Sequence, residues 1–465
     1  MDKLYTLNPR ALWSQFRKEH FAFWMICLYL IMEYVRPQSI YPSLDLLPWE
    51  KVFLGLAAIA LPKDPHRCRV RDATNWWMTL FLGVIIAASI FATFPSISWG
   101  HWFDFFSWYV IYFLIINIVT TRERYFIFLV IFLLANFKLS IFGARTWISR
   151  GFAFTDWGIA GPPGFFENSS DLSTEMLMFA PIAFELALFV KPQRVTYWVK
   201  PHVKRVNWFL MLGAVAGAMT ILAASSRGSQ LGLVAQAAWV AIQRKLKLKI
   251  LVGIALVAGI GYGLLPAAEK ARFASVGTDD TSIQRLNYWK AGLKMIEDHP
   301  VLGIGYFNFP AVYPFYSSNL WHGMAQLPHN IFIQVGTDAG LIGLGVFLML
   351  IYRNLKGASD IRRACKLNPE APAFAAAVAK GLALTTWGFV IAGQFNTVSY
   401  YPFLWINLAL TVSLANIVRR AGQRPASTGV LPLVPQLEER AAQNGTRKTR
   451  SVRKRIKRSG GWQSR

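Results

Sequence analysis

The sequence predicts an all-α, polytopic membrane protein with about 12 transmembrane helices and a large loop on one face. Three observations carry this. Of 465 residues, 54% are hydrophobic and 15% aromatic, while only 16% are charged, too few charges for a soluble basic protein of this length. Apolar runs of about 17–22 residues recur, each enough to cross roughly 30 Å of hydrocarbon as helix. The Lys and Arg residues behind the net charge of +25 gather on alternate connections.

The expected spans, in order, are 21–36, 47–62, 75–94, 102–120, 125–144, 173–190, 207–224, 229–243, 250–266, 331–352, 373–393 and 401–418. The second and eighth are short. With the N-terminus inside, the inner connections are 63–74, 121–125, 191–206, 243–249 and 353–366. Together with both termini they hold 37 of the 49 Lys and Arg residues. The outer loops hold eight: Arg145, Arg150, Arg227, Lys270, Arg272, Arg285, Lys290 and Lys294. Cytoplasmic enrichment in Lys and Arg sets orientation, so both termini are expected in the cytoplasm. The basic balance thus reports topology, and no nucleic-acid partner is needed to explain it. Lys138 and Lys380 fall inside spans and need a partner or a wet cavity.

Cys27 lies in the first span, and Cys68 and Cys365 fall on the inner side, so no structural disulfide is expected. The first apolar run follows about twenty mixed residues without a small-residue cleavage site and reads as a retained helix. The chain divides into a membrane domain, 1–418, and a basic tail, 419–465, expected to be disordered in the cytoplasm and attracted to anionic lipid. No internal repeat is visible.

Two outer segments are long enough to carry function. One is about 148–172, "ISRGFAFTDWGIAGPPGFFENSSDL", whose Gly-Pro-Pro-Gly core excludes regular helix. The other is about 267–328. Within it, Ile283, Leu286, Trp289, Leu293 and Ile296 recur at helical spacing. Thr281 or Ser282 is expected to cap this helix, and Pro300 to limit it. The helix is expected to lie on the membrane as an amphipathic lid. Gly303 and Gly305 in "VLGIGYFNFP" mark a turn where backbone passes close to another element.

Three outer residues stand out chemically. Arg227 sits in "ILAASSRGSQLGLVAQ", between two apolar runs. It is either an interfacial arginine that snorkels or a clamp for an anion, since a guanidinium fork donates two hydrogen bonds at once. Arg285, in the loop helix, is either a solvated charge or a second clamp on the same anion. His329, in "AQLPHNIFIQ", either caps the next span or takes a proton from an alcohol as neutral imidazole. His299 in "EDHP" reads as a helix-end residue. There is no HExxH, CxxC, outer paired-Asp motif or P-loop, so neither metal nor nucleotide cofactor is expected.

The ordered set "SSRGSQLG", "QRLNYWKAGLKMIEDHPVLGIGYFNF" and "PHNIFIQVGTDAGLIGLGVFL" resembles the O-antigen ligase and polymerase family of bacterial inner-membrane glycosyltransferases. The likeness covers roughly 220–350, within a core of about 207–352. "GFFENSSDLSTEM" also looks like the family's earlier periplasmic Asn-Asp segment, and "YVRPQSIYPSLDLLPWEK" like one branch of it. The resemblance implies a glycan donor on undecaprenyl diphosphate at the periplasmic face. The acceptor is a lipid A core sugar in ligases, a second lipid-linked repeat in polymerases, and a protein Ser or Thr in a third group. Neither metal nor ATP is used. Arg227, Arg285 and His329 stand where the family's key residues stand. Asn168, Asp171, His299, Asn308 and Asn330 are candidates for sugar contacts. Trp157, Phe165, Tyr288, Trp289 and Trp321 could stack on sugars or belong to an interfacial aromatic belt.

A lipid-linked oligosaccharide flippase is the reading from another class. It needs charges distributed through the spans and a cavity open to each side, whereas here the charges cluster at one face. A scaffold would leave the placement of Arg227 and His329 accidental.

Overall fold

A computed structural model describes residues 3–155, 158–190, 200–245, 279–317 and 325–423, with Gly259 and Lys270. These residues form helices and connecting turns, with no strand among them. The main helices are α1 (Phe21–Tyr34), α2 (Trp49–Ala60), α3 (Ala73–Ile90), α4 (Trp102–Ile118), α5 (Arg122–Ser149) and α6 (Ser169–Phe189). They continue with α7 (Lys200–Ala223), α8 (Arg227–Gln243), α9 (Asp280–Asp298), α10 (Ile331–Leu367), α11 (Ala375–Ala392) and α12 (Pro402–Gln423).

Short polar side chains start these helices where the sequence changes from loop to apolar run. Asp72, Thr121, Asn168, Asp279 and Asn330 each accept a hydrogen bond from a backbone N–H in the first turn that follows. Such caps satisfy donors that the helix itself leaves unpaired. The cap of α9 is therefore Asp279, not Thr281 or Ser282. Both hydroxyls instead donate to the Asp279 carboxylate.

Among the described residues, seven helices are long and apolar enough to cross a membrane: α3, α5, α6, α7, α10, α11 and α12. Four further expected spans fall on shorter helices. α1 and α4 have 14 and 17 residues, and α2 and α8 have 12 and 17. Helix length and hydropathy thus account for seven of the about twelve expected crossings among the described residues. α1 ends just before Arg36 and Pro37, and α2 just before Pro62, each within the bounds of its expected span. The expected span 250–266 apart from Gly259, the stretch 271–278, Trp157, Trp321 and the tail beyond Gln423 lie outside the described residues.

α6 and α12 are the most enclosed spans, and α6 packs between α7 and α11. Small residues allow close approach: a Cβ at Gly232 of α8 would press into Leu177 of α6. Buried amides tie helices together. Gln236 Nε2 donates to the carbonyls of Leu177 and Leu384, and Asn354 Nδ2 to Thr386 Oγ1 and Asn407 Oδ1. Lys138 Nζ caps the end of α1 by donating to the Val35 carbonyl at 2.9 Å. All three cysteines are unpaired.

The two ends of the bundle are built differently. At one end the chain after α9 folds back through Gly303 (φ 71°) and Gly305 (φ 109°). The Ile304 N–H donates to the Thr337 carbonyl of α10 at 2.8 Å, and a Cβ at Gly303 would overlap that carbonyl. α10 breaks at Gly340 (φ 66°), where Leu341 N–H donates instead to the Pro300 carbonyl. At the other end, Arg124 is fully buried. It forks onto Asp64 at 2.6 and 3.0 Å and donates to Glu19 at 2.6 Å. Burial raises the Asp64 carboxyl, but the Arg124 hydrogen bonds outweigh this and hold it low.

Candidate functional site

Three chain segments distant in sequence meet in one cleft of about 300 Å³. The start of α6 supplies Asn168, Ser169 and Ser170, and the α7–α8 turn supplies Ser225, Ser226 and Arg227. α9 supplies Thr281, Gln284, Arg285 and Tyr288, which share one helical face. Gln326, His329 and Asn396 close the lining. Arg227, Arg285 and His329 therefore face the same space.

The α7–α8 turn is tight: Ser225 has φ 56°, and α8 begins at Arg227. Gly228 lets the turn sit against Phe395, whose side chain a Cβ would crowd at 2.7 Å. Ser173 Oγ donates to Ser229 Oγ at 2.7 Å, tying α6 to α8 directly below Arg227. Arg227 Nη1 meets Asp279 Oδ1 at 3.0 Å. Burial raises the Asp279 carboxyl, but hydrogen bonds from Thr281, Ser282 and Arg227 prevail and hold it well below the usual carboxylate range.

Arg285 forms no ion pair among the described residues. Its pKa is lowered, first by burial and then by the neighbouring Arg227 charge. His329 precedes α10 with φ 50°, a left-handed conformation held from outside. Its N–H donates to Thr397 Oγ1 at 3.0 Å, and its Nε2 lies 3.2 Å from Gln326 Oε1. Burial, then the Arg285 charge, lowers the imidazole to about 4. At neutral pH the ring is therefore uncharged, with two guanidinium groups beside it.

The other sequence candidates divide. Asn168 lines the cleft while capping α6. Asp171 lies just beneath, buried, accepting from Asn396 Nδ2 at 2.8 Å. Asn330 is occupied as the cap of α10, accepting from Phe332 and Ile333 N–H, and its amide reaches Gln394. The structure does not bring His299 or Asn308 to the cleft. His299 ends α9, donating its N–H to the Met295 carbonyl. Asn308 is buried in the loop that returns to α10: it accepts from Phe94 N–H at 2.7 Å and donates to Ser98 Oγ at 2.7 Å. Its amide is spent on holding that loop.

Among the aromatics, Tyr288 lines the cleft, while Trp289 donates to the Pro328 carbonyl at 3.0 Å beside it. Phe165 packs between Trp108 and Tyr401 instead. The face of α9 that packs inward carries Tyr288, Ala291, Gly292 and Met295, and Ile283, Leu286 and Leu293 point outward at 45–59% exposure. Sequence reasoning missed Asp279, Gln284, Gln326 and Asn396. The polar stripe Thr281–Gln284–Arg285–Tyr288, opposite the apolar one, is a signal that finds Gln284. No periodicity leads to Asn396. Among the described residues no three His, Cys, Asp or Glu side chains gather as a metal site.

Residues 212–348 match the family described as O-antigen ligase. That segment is similar to the O-antigen ligase family. It contains Arg227, Arg285 and His329, whereas Asn168 and Asn396 lie outside it. Proteins similar to part of this chain include a Rickettsia felis protein named as a candidate polysaccharide ligase. It is 29% identical over 93 residues, 19% of this chain and 23% of its own. A Rickettsia conorii protein so named is 29% identical over 92 residues, 18% and 22% of the two chains. A Rickettsia bellii protein is 41% identical over 46 residues, 10% and 11%. The chain thus matches less than a quarter of the length of these relatives.

Proposed function

We propose that this chain is an O-antigen ligase-like glycosyltransferase. It moves a glycan from undecaprenyl diphosphate to an acceptor hydroxyl, on a lipid A core sugar, at the periplasmic face of the bacterial inner membrane. The observation that carries the reading is the convergence of Arg227, Arg285 and His329 on one cleft.

The chemistry follows from charge. A glycosyl diphosphate already has a good leaving group, so no nucleotide is required. Arg227 and Arg285 hold the diphosphate and stabilise the negative charge that grows on it as the bond breaks. His329 takes the proton from the acceptor hydroxyl. The freed oxygen attacks the anomeric carbon opposite the diphosphate, the C–O bond to phosphorus-bound oxygen breaks, and undecaprenyl diphosphate leaves with the electron pair. Attack from the opposite side inverts the anomeric centre.

The depressed pKa of His329 fits an order of events. Burial, and after it the Arg285 charge, disfavours the imidazolium. A bound diphosphate offsets that charge, so the base strengthens when the donor is in place. Gln284, Gln326, Asn168 and Asn396 supply neutral donors and acceptors suited to sugar hydroxyls. Both termini are assigned to the cytoplasm by the distribution of Lys and Arg.

The test is gene deletion and rescue, with surface glycan resolved on a gel. Glycan retained on its lipid carrier, with core lacking antigen, supports the ligase; glycans of one repeat indicate a polymerase, and loss of glycan from protein indicates a protein ligase. Arg227→Ala and His329→Ala are expected not to rescue. Arg227→Lys keeps the charge but loses the fork, so poor rescue is expected. Normal glycan from either alanine variant refutes the site assignment.

A further inference from the structure

A second cavity, of about 850 Å³, opens between α3 and α4 at the far end of the bundle. It is remote from the cleft: Arg353 reaches Asp72 beside this groove at 3.1 Å. The helix from Ile331 to Arg353 spans roughly 30 Å. We propose that this groove binds an anionic phospholipid of the leaflet opposite the cleft.

Its head end is built from the segment that leads into α3. Val70 points inward and is 4% exposed. Its N–H donates to Asn117 Oδ1 at 3.2 Å, and its carbonyl accepts from Asn75 Nδ2 at 2.7 Å. Asn75 is fixed in turn by Tyr112 OH at 2.8 Å. With Val70 pinned, its neighbours Arg69 and Arg71 are exposed and line the same groove. Neither forms an ion pair among the described residues. Asp72, which also lines the groove, is already engaged by Arg353 at 3.1 Å and Arg419 at 3.5 Å. The head end therefore carries uncompensated positive charge in a fixed place.

The rest of the groove runs along α3 and α4 and mixes aromatic side chains with polar ones, Thr79 among them. Trp76, on the first turn of α3, is 66% exposed, and Tyr109 and Phe113 of α4 form the facing wall. Free phosphate has no use for that wall. A lipid uses both parts, with its phosphate on the two guanidinium groups and its acyl chain along the aromatics. Basic pockets at the cytoplasmic ends of spanning helices suit acidic headgroups, and interfacial Trp and Tyr sit at headgroup depth.

The experiment titrates phosphatidylglycerol against phosphatidylcholine into the detergent-purified full chain and counts retained lipid by native mass spectrometry. Wild type is expected to retain phosphatidylglycerol preferentially. Arg69→Gln/Arg71→Gln is expected to lower retention about tenfold or more. Lys63→Gln/Arg67→Gln removes the same charge from the same loop and is expected to stay within about twofold of wild type. Trp76→Ala changes only the tail wall and is also expected to weaken retention, so it carries the test if the arginine variant does not fold. Three results would overturn the proposal. They are wild-type retention by the arginine variant or by Trp76→Ala, equal loss in the Lys63/Arg67 control, or displacement of the lipid by inorganic phosphate.

Discussion

Asp279→Asn separates the electrostatics of the cleft from its architecture. Asp279 engages Arg227 at 3.0 Å, so in the proposed mechanism a diphosphate competes with a resident carboxylate. Two unit charges about 4 Å apart interact by about 1 kcal/mol in water and about 4 kcal/mol at an effective dielectric constant near 20. The two side chains are 29% and 21% exposed, which places the pair toward the weaker end, at about 1–2 kcal/mol. Asparagine caps a helix as well as aspartate does, so α9 keeps its start. The variant should therefore bind undecaprenyl diphosphate about five- to thirtyfold more tightly, most visibly at low salt. Binding to the purified protein in nanodiscs is the assay, with thermal stability as the folding check. Weaker donor binding by a well-folded Asp279→Asn protein would refute the reasoning, because Asp279 would then organise Arg227 rather than compete for it.

His329→Gln should lower kcat by about 10²–10⁴ while leaving donor affinity near wild type, read from single-turnover transfer and direct binding. With His329 lowered to about 4, the acid limb of kcat/KM, which reports the free enzyme, should lie near that pH, and the limb of kcat, which reports the donor-bound state, should lie higher. The folded pKa is below the unfolded value of about 6.5, so the folded state binds fewer protons between those values. Stability contributed by His329 is then lost as pH falls through that window, and His329→Gln should flatten the dependence in melting curves. Arg124→Gln leaves Glu19 and Asp64 buried without their cation and should cost about 3–5 kcal/mol, read as a large fall in melting temperature. Gly340→Ala forces a side chain into a left-handed position against the Val301 carbonyl and should destabilise by about 2 kcal/mol or more in the same assay.

Local pattern made much of this legible. The apolar runs located the helices, since a run long enough to cross hydrocarbon must satisfy its own backbone there. The caps were less legible: Asp279, not Thr281 or Ser282, starts α9, and Asn168 and Asn330 cap helices where residue type suggested sugar contacts. The Arg227 and His329 positions stood out because each is a polar break at the edge of an apolar run. The length of individual spans was also less legible: α1 and α2 end at Tyr34 and Ala60, two residues short of the expected limits at Arg36 and Pro62. His299 and Asn308 show a second limit: residue type suggests sugar contacts, but a helix end and a buried loop amide use the same donors.

What the sequence determined by itself is what depends on neighbours in the chain: helix periodicity, the one-sided placement of Lys and Arg, and the residue types able to grip an anion or accept a proton. The tertiary structure decided which of these meet. Asp279 pairs with Arg227 across 52 residues, Asn396 reaches Asp171 across 225, and Thr397 holds the His329 backbone from 68 residues away. Side-chain forces act over a few ångströms, and chain separation carries no record of which distant groups will share that space.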